Sequence, residues 1–150
     1  MLSTRLIRMI ENHAEQIATE AIQRVRKDSE LSHLKVVSDS EMRAGVRRIL
    51  KDLGESLAGN DDLKVAARFQ ELGKRRFEEG IPLDEIVRSN QKLKHAIVGF
   101  VRNEGSRQTT LEIYAEEELE HLLYRYFDKV LYHVVRGYER ARHVAELAAQ

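Results

Sequence analysis

Two polar side chains interrupt otherwise apolar helix faces, and the first of them is Arg76. It follows Leu72 by four residues and Phe69 by seven, so at the helical period it lies on the core side of its segment. A guanidinium in that position needs a carboxylate or an anionic ligand, because burying a charge without a partner is very unfavourable. The alternative is that the stem of Arg76 packs against apolar residues while its head reaches water.

The second interruption is Asn90, which shares a helical face with Ile86, Leu93 and Ile97. A buried asparagine needs several hydrogen-bond partners and can fix the register of a helix or contact a ligand. The alternative is that Asn90 lies at the hydrated edge of the stripe. Arg76 and Asn90 are therefore the predicted ligand-binding residues, and we predict no metal site.

The histidines do not form a recognisable catalytic or metal site. Glu118 and His121 make one Glu-x-x-His element of a di-iron bundle, but such sites need a second copy, which the sequence lacks. His95 is followed by Ala96-Ile97-Val98-Gly99 instead of the lysine and small residues expected after a phosphotransfer histidine. His13 is expected to be a partly buried structural residue. Because no nucleophile elbow, phosphate loop or HExxH motif is present, we predict no enzymatic activity.

Composition excludes several classes of protein. The 150 residues are most simply one domain, and 25 basic residues balance 25 acidic ones, which disfavours a nucleic-acid partner. The absence of cysteine excludes disulfides and thiolate metal sites and fits a reducing compartment. No stretch resembles a signal peptide or approaches the roughly 20 apolar residues of a membrane-spanning helix. We therefore expect a cytoplasmic protein with no membrane partner.

The elements that must position these residues are all predicted to be helices. One proline and eight glycines leave few positions at which a helix must end, and no segment alternates apolar and polar residues as a strand does. This predicts an all-α, five- to six-helix antiparallel bundle with a long C-terminal helix. The expected helices run from about Thr4 to Asp28, from a capping box at Ser38–Glu41 to near Gly59, from Asp61 or Asp62 to Gly80, from Pro82 to Gly105, and from about Gln108 onward. Residues 29–38 are expected to be a connector with a short turn around Leu34.

The last helix is apolar on more than one face between Leu119 and Tyr138, which implies a partner beyond its own bundle. We therefore predict a homodimer. Its predicted interface residues are Leu119, Leu122, Tyr126, Val130, His133 and Gly137. In that interface Gly137 would permit close backbone approach and His133 would make association sensitive to pH. The alternative for this pair is ordinary packing.

After Tyr138 the apolar pattern narrows between charged residues. We expect residues 1–140 to form the domain and residues 141–150 to project as a helix end that links to a downstream effector. The alternative is a frayed helix end.

The stretch from Glu71 to Phe100 joins two amphipathic segments by the break Gly80-Ile81-Pro82, where glycine suits a left-handed helix end and proline suits the first turn of the next helix. This pattern resembles the RsbRD-type N-terminal domain, an input module of stressosome co-antagonists and sensor histidine kinases. It is more distantly similar to sensor globins, in which a haem-ligating histidine stands four residues before the glycine. Arg76 occupies that position here and cannot ligate haem iron.

The resemblance implies a stress-response signal-transduction domain without haem or another cofactor, which passes its signal to a kinase, a STAS domain or another effector. It implies either a globin-like fold without haem or a plain bundle. Two other classes stay open: a haem-binding globin that uses His95 or His13, and a DNA-binding regulator. The neutral charge and the lack of a recognition helix disfavour the second of these.

Overall fold

The structure, a computed structural model, describes residues 2–57, 62–104 and 109–150. Six α-helices and one 3-10 helix lie within these ranges. They are α1 (Leu2–Asn12), α2 (Ala14–Lys27), the 3-10 helix (Ser29–Val36), α3 (Asp39–Leu57), α4 (Asp62–Glu78), α5 (Leu83–Glu104) and α6 (Thr110–Ala148). The predicted all-α fold with a long C-terminal helix is confirmed. The predicted breaks near Gly59 and at Gly105 lie outside the described residues.

The first predicted helix is two helices, separated at His13, whose φ and ψ of −111° and 23° leave the helical region. The ring Nδ1 of His13 lies 2.8 Å from the carbonyl oxygen of Met9, in the last turn of α1. It can thus satisfy one of the carbonyls that a helix end leaves without a partner. The imidazole also lies 5.2 Å from the ring of Phe100, yet His13 is exposed. The prediction of a partly buried histidine was therefore wrong, because His13 lies at a helix end.

The predicted glycine-proline break is confirmed in its backbone detail. Gly80 has φ of 77°, the left-handed region that glycine enters at least cost. Its N–H donates to the carbonyl of Phe77 at 2.9 Å, and the N–H of Ile81 donates to the carbonyl of Arg76 at 3.1 Å. These two bonds form a Schellman motif. The hydroxyl of Tyr138 on α6 donates to the carbonyl of Ile81 at 2.7 Å, so α6 holds the break in place.

Cross-helix contacts fix the direction of the helices. Between α2 and α3, Arg26 pairs with Asp39 at 2.8 Å and Arg47 pairs with Glu15, so these two helices run antiparallel as predicted. By contrast, α4 runs in the same direction as α6.

The rings of Phe69 and Tyr126 lie 6.2 Å apart, and those of Phe77 and Tyr138 lie 5.4 Å apart. Residue numbers on α4 and α6 therefore rise together along the contact, as they do only between parallel helices.

At the crossing of α4 and α6 the two backbones touch. A Cβ atom added to Gly73 would lie 2.0 Å from the carbonyl oxygen of Val134, and one added to Gly137 would lie 2.0 Å from that of Gln70. No side chain fits at either position, because non-bonded carbon and oxygen atoms do not approach so closely. Gly137 was predicted to permit close approach of a second copy, whereas the backbone that it meets here belongs to α4 of the same chain.

The residues predicted to form a dimer interface lie mostly inside the protomer. Leu119, Tyr126, Val130 and Gly137 are buried, and Leu122 and His133 are half-buried. For the four buried residues, the assignment to a surface between two copies is wrong. The apolar face of α6 is wide because α1, α4 and α5 of its own chain pack around it.

Candidate functional site

An apolar cavity of about 120 Å³ lies among α2, α3, α4, α5 and α6, and both Arg76 and Asn90 contribute to its wall. The two residues predicted from separate helices are thus brought together. Buried aliphatic side chains from four helices form the inner wall, among them Ala21, Val46, Leu93 and Val130. Because the polar residues in the wall are half-buried and the apolar ones mostly buried, the cavity is apolar inside and polar at its edge.

The positive charge of Arg76 is balanced by Glu79, which lies one residue beyond the end of α4. Its Nη1 donates to Oε1 of Glu79 at 2.7 Å, and its side chain is only 12% exposed. Of the partners considered for an interior guanidinium, the structure provides the carboxylate. Arg76 therefore needs no anionic ligand to balance its charge, and its assignment as a ligand-binding residue stays a prediction.

Asn90 is also half-buried, but unlike Arg76 its side chain has no partner among the described residues. Its neighbour Ser89, also in the cavity wall, donates its hydroxyl proton to the carbonyl of Ile86 at 2.8 Å. The side-chain amide of Asn90 makes no hydrogen bond to any residue in the described part of the chain. An amide can donate two hydrogen bonds and accept two, so this edge of the cavity can bind a polar group.

Among the described residues, three buried carboxylates that the sequence analysis did not identify lie outside the cavity: Asp52, Glu85 and Glu116. The first is Asp52, which receives hydrogen bonds from Arg68 at 2.6 and 3.2 Å. The hydroxyl of Tyr126 donates to the carbonyl of Ile49 at 2.6 Å nearby. Burial, reinforced by the Asp52 carboxylate, raises the pKa of Tyr126. Asp52 follows Ile49 by three residues, and that shared face was the signal available in the sequence.

The second buried charge is Glu85 in the first turn of α5. It accepts a hydrogen bond from the backbone N–H of His33 at 2.9 Å and pairs with the ring Nδ1 of the same residue. Close by, a hydrogen bond from the Arg88 guanidinium holds the pKa of Asp28 at about 2. These contacts fasten the 3-10 helix to α5, so they are structural.

A wider groove of about 580 Å³ runs between α1 and α3. Its wall carries charges of both signs, including Arg8, Glu11, Arg47, Lys51 and Glu55. Opposite charges that neutralise one another on an open surface do not select a ligand of one class. The cavity that contains Arg76 and Asn90 is therefore the better candidate site.

The histidines considered from the sequence as haem, phosphotransfer or metal ligands do not lie at this cavity. His95, Glu118 and His121 are exposed, and neither His13 nor His95 contributes to the cavity wall. Within residues 2–57, 62–104 and 109–150, no three His, Cys, Asp or Glu side chains lie together as a metal site requires. None of the helices in these ranges is both long and apolar enough to cross a membrane.

Of three comparisons with known proteins, one gives a match, and it is to a protein family. No curated protein and no solved structure matches the chain with significance. The family described as the RsbT co-antagonist protein rsbRD N-terminal domain matches residues 15–150. This range includes α2 except its first residue, all later helices and the whole cavity wall. This chain therefore belongs to the rsbRD N-terminal domain family, a family of stress-signalling input domains.

Proposed function

We propose that this chain is a non-catalytic input domain, which passes a signal through α6 to an effector domain or partner in the cytoplasm. Family membership supports its place in stress signalling. A kinase or a STAS domain is the kind of effector that would follow α6, and no haem or other cofactor is required. The proposal goes beyond the family assignment in naming the helix that carries the signal.

The single observation that carries this proposal is the continuity of α6. Val130 and Val134 in its middle form part of the cavity wall, and Gly137 touches α4. The same helix continues without a break to Ala148, and residues 142–150 are all exposed. A rigid helix whose middle is fixed in the core and whose end is exposed can convert a change in packing into rotation or tilt of whatever is attached.

The test is an insertion series at Ala141. Residues 1–150 would be fused to the catalytic region of a sensor histidine kinase, with one to seven alanines inserted after Ala141. Each added residue rotates the attached region by roughly 100° about the helix axis, so autophosphorylation should rise and fall with the number of alanines. It should return toward the starting rate at seven residues, close to two full turns. A rate that ignores every insertion would contradict transmission through α6.

We also propose that two copies associate through the outward side of α6. Asp128, Leu131, Tyr132, Val135 and Arg136 form a shallow depression there, and Tyr132 is 57% exposed. In a two-fold interface the same patch meets itself, so Asp128 of one copy can lie opposite Arg136 of the other. This surface replaces the stripe that the protomer buries.

Analytical ultracentrifugation at tens of micromolar tests the dimer. Wild-type protein should sediment as a dimer and Tyr132→Glu as a monomer, because the new charge would be buried in the interface. Tyr114→Glu is the matched control, since Tyr114 is also exposed on α6 but lies outside the depression. A wild type that stays monomeric would refute the association.

A further inference from the structure

The cavity among α2, α3, α4, α5 and α6 points to a ligand that no comparison assigns. We infer that it binds a small uncharged molecule of about five or six heavy atoms that carries one hydroxyl or carbonyl group. This inference rests on the proposed function only in treating that molecule as the signal of the input domain; the binding site is argued from the cavity itself.

The size of the ligand follows from the volume of the cavity. It measures about 120 Å³, and apolar protein cavities of about 150 Å³ hold a benzene ring. A molecule slightly smaller than benzene therefore fits, whereas a haem or a long acyl chain does not. A site for so few atoms binds weakly, with dissociation constants on the order of millimolar.

The charge of the ligand follows from Arg76. Its guanidinium already bonds to Glu79 at 2.7 Å, so the pair adds no net charge to the wall. An anion would lose its hydration on entering the cavity and would gain no cation that lacks a partner. An uncharged molecule avoids that loss, so an alcohol or ketone is favoured over the carboxylate of similar size.

The polar group of the ligand follows from Asn90. Asn90 contributes to the wall, and its side-chain amide makes no hydrogen bond to the described residues, whereas the neighbouring Ser89 hydroxyl is bonded to Ile86. A hydroxyl or carbonyl at the edge of the cavity can bond to this side-chain amide in place of the water that reaches it. The aliphatic part of the molecule would then lie against the side chains of α2, α3 and α6.

Gly45 offers a way to close the cavity without touching either polar residue. It contributes to the wall from α3, and a Cβ atom added there would meet no atom within 4 Å. Gly45→Leu should therefore be accommodated without a clash, and we expect its side chain, placed at the wall, to occupy the cavity. The fold should be kept, since the change also replaces glycine inside a helix by a better helix former. Its matched control is Ala44→Leu, the exposed neighbouring residue on the same helix.

The experiment is a titration of the ¹⁵N-labelled chain with 1-butanol and, separately, with sodium butyrate at pH 7, followed by amide chemical shifts. We expect 1-butanol to cause saturable shifts around Ala21, Leu93 and Val130 in the wild type and in Ala44→Leu, but none in Gly45→Leu. Butyrate should cause no saturable shift at these positions. Asn90→Leu, of similar size, should weaken 1-butanol binding about fivefold by removing one hydrogen bond.

Three results would overturn the inference: no saturable shift with 1-butanol, tighter binding of butyrate than of 1-butanol, or unchanged 1-butanol affinity in Gly45→Leu. Unchanged affinity in Asn90→Leu would overturn the role of the amide. None of these results bears on the insertion series at Ala141. A ligand that fails to bind while kinase output still follows the insertions would leave the proposed function standing and remove only its ligand.

Discussion

The helix α6 has two regions with opposite surroundings. From Ala115 to Tyr138 it supplies the largest group of buried residues of any helix, and it contacts α1, α4 and α5. From 142 to 150 every residue is exposed, including Val144 at 64% and Leu147 at 55%. One helix thus belongs to the core along most of its length, and its end makes no buried contact with the described residues.

The two regions of α6 are helical for different physical reasons. The buried region is held by packing, as most helices of globular proteins are. The exposed region has ion pairs within the helix instead, since Arg142 pairs with Glu139 and with Glu146 at neighbouring turns. Such pairs contribute only about 0.2–0.5 kcal/mol each. The exposed end therefore depends on the buried region for its direction and can follow any change in that region.

The largest expected effect comes from a methyl group at the α4–α6 crossing. Gly137→Ala should lower the free energy of unfolding by about 3 kcal/mol or more, because the new Cβ would overlap the backbone of α4. Urea denaturation followed by circular dichroism measures it. The matched control is Gly45→Ala, where no atom is close and the change should stabilise the chain by up to about 1 kcal/mol. Equal effects of the two substitutions would mean that the helices do not touch at Gly137.

A smaller effect is expected from one hydroxyl in the buried region. Tyr126→Phe removes the hydrogen bond to Ile49 and leaves a buried carbonyl without that donor, which should cost about 1–2 kcal/mol. Tyr132→Phe on the exposed side of α6 should change stability by less than about 0.5 kcal/mol. The same denaturation measurement compares them, and a larger loss at Tyr132 would invert the assignment of the two faces.

The smallest effect is expected at the exposed end. Deleting residues 142–150 should change the free energy of unfolding by less than about 0.5 kcal/mol, because no buried contact is lost. Differential scanning calorimetry of the full and shortened chains measures this as a nearly unchanged thermal midpoint. Unfolding of the shortened chain at room temperature would show that the end belongs to the core.

Local features of the fold could be predicted because a few residues determine them. Gly80 and Pro82 fixed the helix break between α4 and α5, and Ser38 caps α3 by accepting a hydrogen bond from the N–H of Glu41 at 3.1 Å. The separation of α1 from α2 could not be predicted, since His13 ends a helix by bonding to the preceding turn. No glycine or proline marks that position.

Long-range features were only half predictable. The width of the apolar face on α6 was correct, but a sequence does not say whether the covering residues come from the same chain or from a second copy. Arg76 and Asn90 are both half-buried and contribute to the wall of one cavity, a meeting of two helices that the sequence could not show. The partner of Arg76 was not named, although Glu79 lies three residues further on and so on the same side of the helix, whereas Glu78 lies on another side and pairs with Lys74.

Amide hydrogen exchange along α6 distinguishes a helix fixed in the core from its exposed end. We expect strong protection from Leu119 to Tyr138 and rapid exchange from residue 142 to 148 in dilute protein, with the change near Ala141. A single level of protection along the whole helix would contradict this expectation, because the end would then be packed like the rest. Rapid exchange between Leu119 and Tyr138 would contradict it as well, since that region could not then be the fixed part of a signalling helix.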